Sequence, residues 1–90
     1  MTRRPYRLFF EPGLYEQLRA APDEVQAAFR EILGLLLVNP LPGESLPTAR
    51  PLERWHPNSY SVVLPGGRGL LHYQVLADQR RVVLISLTWI

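Results

Sequence analysis

Ninety residues suffice for one small domain, residues 1–90, with a modest core. Hydrophobic residues make up 47% and charged residues 20%, the balance of a globular chain; with no cysteine, a disulfide framework, a thiolate metal site and a cysteine nucleophile are excluded. All ten cations behind the net charge of +2 are arginines, so a lysine base or Schiff base is excluded, and every cation is a planar fork suited to phosphate or carboxylate.

The first element is Tyr6 to Phe10, a short aromatic-rich strand stopped by Glu11-Pro12-Gly13. Pro12 suits the first turn of a helix, and Leu14 and Leu18, with Tyr15 beside them, give that helix one apolar face. Ala21-Pro22 ends it. Asp23 begins a second helix: Asp23 and Gln26 form a capping-box-like pair, and Glu24 sits at the positive end of the dipole. Val25, Phe29, Ile32 and Leu36 recur at helical spacing, widened by Ala28, Leu33, Leu35 and Leu37, which predicts a well-buried second half. Asn39-Pro40 closes the helix, and its apolar run, broken by Gly34, does not reach membrane-spanning length.

Pro40, Pro42, Gly43, Pro47 and Pro51 mark residues 40–51 as a loop, with Pro51-Leu52 a candidate edge segment. Arg54, Trp55 and His56 precede a Pro57-Asn58 turn. Three strands follow: Tyr60 to Leu64, Leu70 to Leu76 and Arg81 to Ile90, separated by Pro65-Gly66-Gly67 and Ala77-Asp78-Gln79. The glycine-rich Gly66-Gly67-Arg68-Gly69 reads as a hairpin turn, not a phosphate-binding loop, because no helix follows it.

The order β-α-α-β-β-β predicts an α+β fold: a small antiparallel sheet with a helical hairpin on one face. Strand alternation assigns Tyr60, Val62, Leu64, Leu71, Tyr73, Val75, Val83, Ile85 and Leu87 to the helix-covered side. It leaves Ser61, Val63, Leu70, His72, Gln74, Leu84, Ser86 and Thr88 on an open face that mixes polar and apolar groups, as expected where a partner lies across it. A one-residue slip would invert these sets. Charge is uneven: Arg3, Arg4 and Arg7 precede an acidic helical region, and Arg50, Arg54, Arg68, Arg80 and Arg81 outnumber the acids of the strand half. Such a basic half attracts RNA or an acidic protein.

In order and spacing this pattern resembles the RelE/ParE superfamily, the toxins of type II toxin–antitoxin systems, over nearly the whole chain. YRLFFEPGLYEQL resembles the family's opening strand and first helix, and VQAAFREILGLLLVNP its second helix and Asn-Pro. ARPLERW leads into the sheet, SYSVVLPGGRGLLHYQV resembles the family's hairpin with its recurrent tyrosines at Tyr60 and Tyr73, and RRVVLISL resembles the last strand. The lack of cysteine and of a membrane-length apolar run reads as a cytoplasmic protein, and no His/Asp/Glu spacing suggests a metal or cofactor site. The resemblance implies a small acidic antitoxin as partner and, in the RelE branch, cleavage of messenger RNA in the ribosomal A site. It leaves open a ParE-type gyrase inhibitor and a catalytically weak or inactive homologue that acts by protein binding alone. Pro65, Leu70 and Thr88-Trp89-Ile90 stand where active relatives carry basic, His or Tyr groups.

Cleavage requires an activated 2′-hydroxyl, stabilised phosphate charge and a protonated leaving oxygen. His72, on a central strand, is the candidate acid/base; the plainer reading is a hydrogen-bonded histidine among Ser61, Ser86 and Thr88. Arg68, in the hairpin turn, and Arg54 are candidates for stabilising phosphate. Arg50, Arg54, His56, Arg68 and Arg81 make a candidate RNA-binding set, with Trp55 available for stacking.

Overall fold

The computed structural model describes residues 5–52 and 57–90. In chain order it comprises β1 (Arg7–Phe10), α1 (Pro12–Ala20), α2 (Asp23–Val38), β2 (Arg50–Pro51), β3 (Ser59–Val63), β4 (Gly69–Leu76), a single 3₁₀ turn at Ala77–Gln79 and β5 (Arg81–Trp89). The five strands form one sheet in the order β1-β5-β4-β3-β2. An antiparallel sheet was the sequence expectation; the observed one is mixed, because β1 lies parallel to β5 with Arg7 opposite Arg81 and Phe10 opposite Leu84. The two helices and the proline-rich loop carry the chain to the far edge at β2. Three antiparallel pairings then bring it back to β1 running in the same direction.

Pro12 opens α1, where a missing N–H costs nothing. At α2 the cap differs from the sequence reading. Pro22 is the N-cap, Asp23 and Glu24 lie in the first turn, and Gln26 Nε2 donates to the Ala21 carbonyl at 3.0 Å. The acidic first turn still complements the helix dipole. Only one side of α2 is buried, through Val25, Ala28, Phe29, Ile32 and Leu36. Leu35, Leu37 and Val38 are exposed, so the second half of α2 is less covered than its composition predicts.

Between the helices and the sheet, Val62, Leu64, Leu71, Tyr73 and Val75 are buried, as alternation predicts, and Tyr60 is half-buried with its ring stacked on Tyr73 at 5.7 Å. Each fully buried large apolar side chain contributes about 1.5–3 kcal/mol. Strand β5 departs from the expected parity. His72 faces Ser86, but Tyr73 faces Leu84, so Ile85 is an extra residue in β5. This β-bulge flips the alternation, which puts Val82 and Leu84 in the core with Leu87 and leaves Val83 and Ile85 only half-buried. Val83 and Ile85 are therefore not the core residues that strict alternation implies, and Leu84 is not on the open face.

Past Phe10, where β1 gives way to α1, Gln17 Oε1 takes over its role at the edge of β5 by accepting the Leu87 N–H at 2.8 Å. The hairpin between β3 and β4 turns through Leu64–Gly67, closed by the Gly67 N–H to the Leu64 carbonyl at 2.9 Å. Pro65 and Gly66 occupy its centre, and the φ of +90° at Gly66 is the left-handed conformation that such a turn requires.

Candidate nucleic-acid interface

Side chains on directly paired residues share a face of the sheet. The pairing register therefore aligns Arg50 (β2), Ser61 (β3), His72 (β4) and Ser86 (β5) in one row across the face opposite the helices. Arg50 is exposed, whereas Ser61, His72 and Ser86 are half-buried. With strands about 4.8 Å apart, Arg50 stands about 10 Å from His72. His72 is also the last β4 residue before the register shift. A bulge at that point re-aims the side chains around it. The arrangement sets an imidazole between two hydroxyls, with a guanidinium at the edge, and supplies an acid/base, hydrogen-bonding groups and a fixed positive charge.

The two ends of this face differ. At one end the row Val63, Leu70 and Thr88 is largely apolar, with Leu70 44% exposed. It borders a shallow cavity of about 310 Å³ lined also by Gly67, Arg68, Trp89 and Ile90. At the other end are Arg7, Phe9 and Arg81, with the Arg81 guanidinium 5.0 Å from the Phe9 ring centre.

Arg68 does not face the row. Its Nη1 donates to Glu24 Oε2 at 2.6 Å, and its Nε and Nη2 donate to the Ile90 main-chain oxygen at 3.2 and 3.0 Å. The Ile90 N–H returns a bond to the Arg68 carbonyl at 3.0 Å. The fork thus ties the end of β5 to the first turn of α2, and contact with phosphate requires release of Glu24. Arg54 and His56 lie outside the described residues, as does Trp55. Arg50, on the edge strand β2, and Arg81, on β5 one strand in from the opposite edge, are both exposed. Trp89 packs on the margin of the core.

The sequence reading passed over Arg7 as a site residue. Its position depends on the parallel β1–β5 pairing, for which no local signal exists; only the aromatic-arginine composition of YRLFF hinted at a binding edge. Tyr73, expected in the core, is fully buried and donates its hydroxyl to the Pro40 carbonyl at 2.7 Å. Burial first, and the nearby Tyr60 second, push its pKa well above the ordinary tyrosine value, so it is a structural group and no proton donor at neutral pH.

No protein-family model and no curated protein matches the chain. Solved structures do. The RelBE2 toxin–antitoxin complex of Mycobacterium tuberculosis contains a chain of the same fold, with a TM-score of 0.77 and 24% identity over 96% of this chain and 99% of that one. The isolated Escherichia coli RelE toxin matches with a TM-score of 0.75 and 23% identity over 93% of this chain and 83% of that one. The archaeal RelE–RelB complex of Pyrococcus horikoshii matches with a TM-score of 0.70 and 16% identity over 93% of each chain.

Proposed function

We propose that this chain, whose fold is that of the RelE toxins, is the toxin-like component of a type II toxin–antitoxin pair and acts on messenger RNA at the ribosome through its open sheet face. The observation that carries the reading is a likeness that runs end to end, over 96% of this chain and 99% of a chain from a solved toxin–antitoxin complex. A small acidic antitoxin is the proposed partner in the cytoplasm. The exposed Leu35 beside an apolar groove of about 390 Å³, formed by α2, residues 45–48 and the β3–β4 hairpin, offers it surface to bury.

In the proposed chemistry His72 takes the proton of an RNA 2′-hydroxyl. The freed oxygen attacks the adjacent phosphorus to close a 2′,3′-cyclic phosphate, the P–O5′ bond breaks, and the leaving O5′ takes a proton from water. Imidazole is the side chain that most readily exchanges a proton near neutral pH. Arg50 and, once freed from Glu24, Arg68 stabilise charge on the phosphate, with Arg54 and His56 as further groups of the approach. A second reading, a homologue that works by protein binding alone, draws on the apolar row of Val63 and Leu70, both exposed at the end where basic groups would serve an RNA enzyme.

Expression of the full chain alone in a bacterial host tests the first reading. Growth arrest with messenger cleaved in the ribosomal A site, lost in His72→Ala, is the expected result. Abundant soluble protein with normal growth refutes it in favour of the second.

A further inference from the structure

The geometry points to a separate RNA-anchoring site on this chain: Arg7, Arg80 and Arg81, together with Phe9, grip the backbone and a base of single-stranded RNA at the β1–β5 corner of the sheet. The site deepens the RNA reading of the open face and rests on it for the identity of the anion.

Four observations converge. The parallel register sets Arg7 directly opposite Arg81, both exposed. Like charges placed opposite one another repel, and a bound polyanion turns that repulsion into attraction. Arg80 adopts a left-handed backbone conformation, φ +51°, uncommon for a residue with a side chain, and its guanidinium lies 4.2 Å from the centre of the Tyr6 ring. All three arginines line one open cavity of about 730 Å³ with Pro5, Gln79 and Asp78, the one carboxylate among its described lining residues. Aromatic rings are interleaved with these cations: Tyr6 lies against Arg80, and Phe9, 40% exposed, lies against Arg81.

This combination selects nucleic acid over an acidic peptide. Guanidinium forks match the paired oxygens of phosphate and carboxylate alike, and it is the exposed ring beside them, a stacking surface for an unpaired base, that discriminates. A duplex hides its bases from such a ring, so the single strand is the fitting form. Leu76, opposite Arg81, lies four residues along β4 from His72, about 13 Å. A strand anchored at the corner therefore runs along the open face over the row of Arg50, Ser61, His72 and Ser86.

The test uses the full chain made by chemical synthesis and folded, with a fluorescent 2′-O-methyl oligouridylate, which resists cleavage. Anisotropy gives the association constant across a series of salt concentrations. The slope of its logarithm against that of salt should fall by about 0.7 for each phosphate contact removed in Arg7→Ala, Arg80→Ala and Arg81→Ala. Phe9→Ala should weaken binding at an unchanged slope, and Arg81→Lys should keep the slope; circular-dichroism melts show which variants remain folded. Wild-type slopes in folded Arg7→Ala and Arg81→Ala overturn the proposal, as does displacement of the RNA by an oligoglutamate peptide at equal charge, which would assign the corner to acidic proteins. Slopes lost in the arginine variants, alongside normal growth on expression, uphold the anchor while refuting the toxin. Growth arrest that needs His72, alongside unaltered slopes, refutes the anchor alone.

Discussion

Tyr73→Phe removes one oxygen atom from the centre of the molecule and leaves the ring in place. Its hydroxyl donates to the Pro40 carbonyl at 2.7 Å, and both residues are buried. The phenyl ring keeps its packing against Tyr60, so the loss is confined to one hydrogen bond and one buried carbonyl left without its donor. That pattern costs about 1–3 kcal/mol, against a total stability of roughly 5–13 kcal/mol for a chain of this length. At about 4–8 °C per kcal/mol, Tm should fall by about 5–20 °C. The substitution also changes the alkaline limb. The folded state holds the Tyr73 proton well above the pH at which an unfolded tyrosine loses it, near 10.0. The unfolded chain therefore binds fewer protons than the native one above that pH, and stability declines there by up to about 1.4 kcal/mol per pH unit. The contribution is complete below pH about 10 and lost as pH climbs toward the folded value. Urea midpoints for wild type and Tyr73→Phe, taken on both sides of pH 10, should converge as pH rises. An equal loss in both proteins would refute the assignment of that proton to a buried, hydrogen-bonded Tyr73.

Glu24→Gln should change the stability measured by urea unfolding by no more than about 1 kcal/mol, because the Arg68–Glu24 pair is exposed to solvent, 44% on the arginine side and 76% on the glutamate side. Arg68→Ala, which also removes both bonds to the Ile90 oxygen, should speed hydrogen exchange at the Ile90 amide more than Glu24→Gln does. Leu84→Ala should cost about 2–5 kcal/mol in urea unfolding and Val83→Ala clearly less, the reverse of the order that strict alternation implies. Gly66→Ala, at φ +90°, should cost roughly 1–2 kcal/mol by backbone strain alone, since nothing lies within 4 Å of the added methyl.

Where a signal is local, the sequence carries it. Pro12 and Asn39-Pro40 mark helix ends, Pro65-Gly66-Gly67 marks the hairpin, and period-two runs in β3 and β4 assign Val62, Leu71, Tyr73 and Val75 to the core, all of which the structure bears out. The bulge at Ile85 is different in kind. Val82, Val83, Leu84 and Ile85 are an unbroken apolar run, so no polar residue records which of them faces the helices. Parity had to be carried back from Leu87, and one inserted residue reverses everything before it. The parallel edge is likewise invisible, because pairing of Arg7 with Arg81 is set by the route of the whole chain and by no property of either segment.

The same distinction governs the candidate site. His72 was legible because a histidine on a central strand needs only the parity of β4, which is regular up to the bulge. Its neighbours Ser61 and Ser86 follow from two hairpins with short turns. Arg68 was legible as a turn residue, but its partners lie 44 and 22 positions away, at Glu24 and Ile90. A cation's role depends on which anion reaches it first, and that is a property of the folded surface. The bulge links the core to the open face. By spending one extra residue opposite the His72–Tyr73 step, β5 keeps Leu84 against the helices and still presents Ser86 to His72. Without it, Leu84 and Ser86 would have the same parity, and the strand could bury the one only by burying the other. The irregularity that defeats a reading of β5 from its sequence is therefore the device that lets one strand serve both the core and the row across the open face.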